Sequence, residues 1–415
     1  MQTMSRTEPF FIPVSILLAI ILFPISALSA DISGKSQTML NARENIFKER
    51  IYRIYEYVDL SFTNAGDKGI SLYASGWGRY TLDGPVDGDR IEGELSYAYV
   101  AVPVNSINSR VSLGRQFVFA GAASEQIDGI HISTQAGGFS ASLFGGSPPE
   151  LDMDNRGGDA IYGGRLSHHL KGKYEVGASY LKEDNDGSDF REEYGVDLWL
   201  KPLSRLSLNG MSSYNMVTSG WMEHTYRLTF SPSDSMRIHG EISQIDYAHF
   251  FNSTTSAAFS TLWLNPDESV NSGTVGMEFS LNSSITLSAR YRMLDYQLSG
   301  SAGSFGAGIT YAGENKLAGL SIDRAEGDTD VLRYTMYRAY GSYTRRNADI
   351  TADLSTVDYD LKSAGIGRTL SATGALGYQP LKDLRASLEV TYEESPLFTS
   401  ETRAMMKLNY RFGAI

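Results

Sequence analysis

The chain has 415 residues, 42% of them hydrophobic, with 41 Gly, 25 Tyr and 18 Phe but only 12 Pro and no Cys. The missing Cys excludes disulfides, Cys-zinc sites, iron–sulfur ligation and covalent c-type haem attachment. A formal charge of −12 argues against a nucleic-acid binder and against docking onto an anionic membrane surface.

Residues 1–30 read as a secretory signal peptide. Arg6 supplies the charged start, Phe10 to Phe23 an apolar run, and Ala27, Ser29 and Ala30 a small-residue cleavage site near Asp31. Pro13, Pro24 and the shortness of the run argue against a retained membrane helix. Beyond Asp31 no stretch approaches the ~20 apolar residues that such a helix needs. The exported chain is then either soluble outside the inner membrane or a β-barrel within an outer membrane.

Residues 31–69 stand apart. Leu40, Phe47, Ile51 and Ile54 share helical spacing, which predicts an amphipathic helix over 36–52, and Tyr55 to Thr63 reads as extended. Two readings compete: an extra barrel strand, or a periplasmic segment that plugs a pore or docks a partner. The second is preferred, because an even strand number with both termini periplasmic then follows.

From residue 70 to 415 apolar and polar residues alternate for about ten positions at a time, then meet a turn. In the last such segment Thr402, Ala404, Met406, Leu408, Tyr410 and Phe412 share one face, and Glu401, Arg403, Lys407, Asn409 and Arg411 the other. Leu384 to Glu393, Tyr194 to Lys201, Met222 to Phe230, Val275 to Leu281 and Ile285 to Met293 repeat the pattern. Short turns such as Lys171-Gly172-Lys173, Ser204-Arg205, Arg346-Asn347 and Lys382-Asp383 take turns with longer Gly- and Asp-rich loops. That rhythm predicts an all-β fold, a transmembrane antiparallel β-barrel of about 20 strands (range about 16–22) with short periplasmic turns and long extracellular loops. A soluble sandwich also alternates, but it would bury the charges of the polar faces in a dry core at high cost.

Tyr97, Tyr99, Tyr174, Tyr194, Phe230, Tyr291, Tyr311, Tyr378, Tyr392, Tyr410 and Phe412 fall on the oily faces near strand ends, where aromatic rings favour the membrane boundary. The polar faces would line the lumen through Arg205, Glu223, Arg227, Arg237, Glu241, Arg290, Arg292, Asp349, Asp353, Arg385, Glu389, Arg403, Lys407 and Arg411. Twenty strands close at a backbone radius of roughly 20 Å, wide for a filter, so an inner constriction is expected. The apolar loop 247–269, with Phe250, Phe251 and Trp263, is the first candidate for it, and Phe119 to Gln126 the second.

Chemistry is sparsely marked. None of the six His sits in a metal-binding motif, and the neighbours His168 and His169 point to opposite faces of a strand. Asp184-x-Asp186-x-Ser188 lacks the Gly and final Glu of a calcium loop. No enzymatic activity, metal or cofactor is expected.

The signal peptide, the strand meander and the terminal Tyr410-Arg411-Phe412 together resemble Gram-negative outer-membrane porin-like proteins, although Gly413-Ala414-Ile415 follow the terminal aromatic. Ser75-Gly76-Trp77-Gly78-Arg79, and Leu113-Gly114-Arg115-Gln116 with Asp128-Gly129, further resemble porin-like barrels of metal-reducing deltaproteobacteria. The resemblance implies passive diffusion of small hydrophilic solutes or ions through an outer-membrane channel in contact with lipid, with a homotrimer as a common assembly. An alternative it also implies is a barrel sheathing a periplasmic multihaem cytochrome as an electron conduit, whose haem would belong to the partner. A specific transporter or receptor is a third reading.

Overall fold

Twenty-two antiparallel strands run in chain order among the described residues, and the last pairs with the first. At the closure β1 (Asp31–Glu44) lies between β2 (Arg50–Ala65) and β22 (Phe398–Gly413), with Leu40 opposite both Ile54 and Met406. The computed structural model describes residues 31–44, 48–65, 69–84, 89–149, 160–185, 188–250, 267–329, 332–363, 366–395 and 398–413. The expected signal peptide falls outside them. With strands ~4.8 Å apart and a tilt near 40°, such a ring has a backbone radius of roughly 22 Å.

The structure corrects the reading of residues 31–69. They form neither a helix nor a separate segment; β1 and β2 are full members of the wall. Their outward positions explain the misreading. Ser36, Thr38 and Glu56 interrupt the oily stripe, so two-residue alternation fades and a chance helical spacing stands out. The twenty strands that follow, from β3 (Ile70–Asp83) to β22, match the number read from residue 70 onward.

Turns at one end are tight. Gly137-Gly138 links its strands with φ of 57° and 86°, a conformation that L side chains rarely adopt, and 171–173, 204–205, 346–347 and 382–383 are equally short. Several expected long loops at the other end are instead strand extensions. β9 (Tyr174–Asn185) and β10 (Ser188–Leu203) continue almost to their junction, and so do the strands meeting near 364 and 396. An even strand count returns both ends of the ring to the side of the short turns, the periplasmic side in barrels of this kind.

Each strand turns its oily residues outward. Met406, Leu408 and Tyr410 are about half exposed on the outer surface, as are Val275, Tyr291, Leu354 and Tyr378. Tyr97 and Tyr99 are exceptions to the expected girdle. β4 (Ile91–Val104) pairs Tyr97 with Ser75 and Leu95 with Gly76, leaving Ser96 as a bulge. One extra residue inverts the alternation, so both tyrosines join Glu92 and Glu94 on the inner face. There Tyr97 donates to Asp59, 3.1 Å away, and Tyr99 stacks on Tyr73.

Candidate functional site

The lumen is narrowed from one side by β5 (Ser109–Ala120) and β6 (Ala123–Ala136). β4 and β5 pair only as far as Ala98 and Arg115, while β6 leaves β7 (Phe139–Ser147) beyond Asp128. The hairpin tip, residues 116–127, therefore departs from the wall on both edges. It crosses to the inner face of β8 (Ala160–Leu170), β9 and β10, where the Ala122 amide donates to Ser179 Oγ at 2.8 Å.

Alternation gives the tip two faces. Val118, Ala120, Ala123 and Ile127 bury against Phe144, Ile161 and Leu181 of the wall in a small dry core. Phe117 and Phe119, on the opposite face, are 49% and 75% exposed and look into the channel. A buried charge cluster pins the tip. The Arg191 guanidinium, 8% exposed, donates to Glu125 of the hairpin and to Glu193 of its own strand, which is 1% exposed. On the same inner face Arg165 holds Asp197 at 2.5 and 2.9 Å and Glu175 at 2.9 Å. Charges at this depth persist only when paired, so the cluster fixes the tip's position.

The rest of the wall stays wet and carries ion pairs between nearby strands. Arg227 meets Glu241 at 2.5 Å, Arg290 meets Asp323 at 2.6 Å, Arg338 meets Asp353 at 2.5 Å, and Arg385 meets Asp349 at 2.8 Å. Arg237 and Glu278 stand 3.4 Å apart, and Arg403 lies against Glu393. Glu223 and Glu389 also occupy inward register positions. Among the described residues Arg292, Lys407 and Arg411 are inward cations without an ion-pair partner. Arg205 is the one expected lining residue placed elsewhere. It sits in the 204–205 turn, since β10 ends at Leu203, and donates to the Pro232 carbonyl at 2.5 Å.

The first constriction candidate, 247–269, is described only at its two ends. Phe250 ends a one-turn helix α1 (Tyr247–Phe250) seated on the outer end of β11 (Leu206–Asn215) and β12 (Gly220–Ser233). His249 anchors it, with Nδ1 2.9 Å from Thr218 Oγ1 and its carbonyl accepting from Asn215 at 3.0 Å. Phe251 and Trp263 lie outside the described residues. Downstream, Glu268 ties this connection to the next one. It accepts from the amides of Leu298 and Ser299 at 2.9 and 3.1 Å and from the Ser299 hydroxyl at 2.7 Å. Burial works to raise the Glu268 carboxyl, but these donors outweigh it and hold the group below the usual glutamate range.

Among the described residues no three His, Asp or Glu side chains gather in a group that could hold an ion. His131 bonds Ser142 Oγ at 2.8 Å inside the wall, whereas His224 faces outward against Ser212 at 2.7 Å. Sequence reading missed Arg191 and Arg165. The alternation Arg191-x-Glu193 was visible, but its partner Glu125 lies 66 residues upstream.

A closed meander with an oily outer and a charged inner face has the two-sided wall of a barrel built to lie in a bilayer. The fold is a closed antiparallel β-barrel of the transmembrane type. No protein-family model matches it, and no curated protein matches its sequence. Among solved structures it is similar to OccAB4 of Acinetobacter baumannii, at 11% identity and a TM-score of 0.49 over 93% of this chain and 98% of that one. OpdO of Pseudomonas aeruginosa follows at 11% and 0.47, with the same coverage of 93% and 98%. Acinetobacter baumannii OccAB2 gives 10% and 0.47, again over 93% and 98%.

Proposed function

We propose that this porin-like barrel is an outer-membrane channel for passive diffusion of small hydrophilic solutes and ions, with its width set by the 116–127 hairpin tip. The observation that carries this reading is the combination of a pinned constriction on one side and a solvated, ion-paired wall on the other. The hairpin is a second sheet layer, which takes roughly 10 Å from the lumen and leaves a crescent beside Phe117 and Phe119. Small polar solutes pass such a crescent along the charged wall. Most wall charges are matched locally, and the unmatched ones include both signs, Arg292, Lys407 and Arg411 against Glu223 and Glu389. Weak ion selectivity follows from that balance.

The cytochrome-sheath reading needs an empty lumen, and the hairpin stands in that space. Purification separates the two. Folded, detergent-purified protein should conduct in planar bilayers without any partner; a folded barrel that stays silent there and co-purifies with haem-staining protein would overturn the channel reading.

A further inference from the structure

The lumen side of β2 to β4 carries rings where the rest of the wall carries ion pairs. Leu408 faces outward opposite Thr38, so Gln37 and Asn409 face inward, and their register neighbours Tyr57 and Trp77 face inward with them. By the same alternation Tyr55, Tyr73, Tyr97 and Tyr99 point into the lumen, which puts six aromatic side chains on three adjacent strands. Tyr55 and Tyr57 lie nearly parallel, with ring centres 6.4 Å apart and planes 16° apart. Tyr73 and Tyr99 stack at 5.1 Å, and Tyr97 stands 6.0 Å from Tyr99. Lipid does not explain these rings, because they face the water side of the sheet.

The groups beside the rings define what would lie on them. At the foot of the strip a cavity of about 580 Å³ opens toward the short-turn end, lined by Lys35, Gln37, Tyr57, Asp59, Ser75 and Asn409, with Arg385 and Arg411 beyond β1. That volume lies within the ~300–1,000 Å³ of ordinary small-molecule sites. Tyr57 is 36% exposed. Its polar neighbours are held in fixed directions: Tyr97 donates to Asp59 at 3.1 Å, and the Gln37 amide donates to Asn409 at 2.7 Å. Lys35 is matched by Asp59 at 3.0 Å and Arg385 by Asp349 at 2.8 Å, so both present donors rather than free charge.

We propose that the strip and its cavity form a transit site for an uncharged sugar. A sugar ring has apolar C–H faces and an edge of hydroxyls, each donor and acceptor at once. Tyr57 offers the flat apolar surface for such a face, and Asp59, Gln37 and Asn409 supply the mixed acceptors and donors that the edge requires. Arg411, without an ion pair among the described residues, would also suit an anion, and the test separates the two ligands. The proposal rests on the channel reading for transit, whereas binding itself is measurable without conduction.

The purified barrel is placed in planar bilayers, and maltose, gluconate and polyethylene glycol of similar mass are added in turn. Maltose should interrupt the current transiently, at a half-blocking concentration about tenfold below that of either control. Tyr57→Ala and, separately, Trp77→Ala should raise that concentration about tenfold, Tyr57→Phe less than twofold, and Tyr340→Ala on another part of the inner wall not at all. Conducting channels that maltose does not block, stronger block by gluconate, or unchanged block in Tyr57→Ala would overturn the proposal. Calorimetric titration of maltose into the detergent-solubilised protein separates the two claims. Binding by a barrel that never conducts would sink the channel reading and sustain the site, and conduction with no heat of binding and no block would do the reverse.

Discussion

Among the described residues Arg191 is the one cation paired with both Glu125 and Glu193, so the constriction depends on it. Arg191→Ala leaves Glu193 and Glu125 buried without compensation, a change of about 3–5 kcal/mol when one partner of a buried pair is removed. The tip should then leave the wall while the barrel persists. Single-channel recording should show a larger, noisier conductance, and protease should cut within 116–127. Glu268 gives a pH-dependent counterpart outside the membrane. Its carboxyl is held below the usual 4.5 in the folded state, so its contribution is complete well above pH 4.5 and lost as pH falls through the lowered value. Glu268→Gln should lower the protection of the Leu298 and Ser299 amides against exchange roughly tenfold at neutral pH, and acidification of the unmodified protein should lower their protection relative to the intrinsic rate at the same pH. Unchanged protection in both cases would refute the tether. Little of this was legible in the sequence. Inward charges follow from alternation, but the closeness of Glu125, Arg191 and Ser179 depends on a hairpin leaving its own wall, which local pattern does not encode.

At the scale of elements, alternation sufficed wherever one face of a strand was uniformly oily. β22 and its neighbours were readable for that reason. It failed in two places with definite causes. The bulge at Ser96 shifts Tyr97 and Tyr99 to the inner face, and a single unpaired residue leaves no mark in composition. β1 and β2 carry Ser36, Thr38 and Glu56 outward, which hides the two-residue period. The apolar 247–269 stretch was the preferred constriction because large apolar groups need cover, and its residues 251–266 lie outside the described ones; among the described residues the β5–β6 tip folds inward, with Val118, Ile127 and Ala120 against the wall. Replacing residues 116–127 by a two-residue Gly turn removes that layer. Conductance should rise severalfold in a barrel that still resists unfolding by detergent at room temperature, and unchanged conductance would remove the hairpin from its assigned role.

The whole molecule is a ring whose two solvents lie on opposite sides of one sheet, lipid against Leu408, Leu354 and Val275 and water against Arg290, Arg338 and Arg385. Pairing of wall charges at 2.5–2.8 Å limits the reach of each field, and screening in a wet lumen confines it to about 8–10 Å at ordinary ionic strength. Neutralising unmatched cations should therefore matter more than neutralising matched ones. Arg292→Gln with Lys407→Gln should move the reversal potential in a salt gradient toward cation preference, while Arg338→Gln alone leaves Asp353 unmatched and should do so to a similar or smaller extent. No movement in either variant would place the conduction path away from this wall. The most direct single measurement is the conductance of the purified chain in a planar lipid bilayer. Stepwise insertion of open channels by the protein alone is the expected result; a polypeptide that remains monomeric in water without detergent and never carries current would contradict the transmembrane barrel itself.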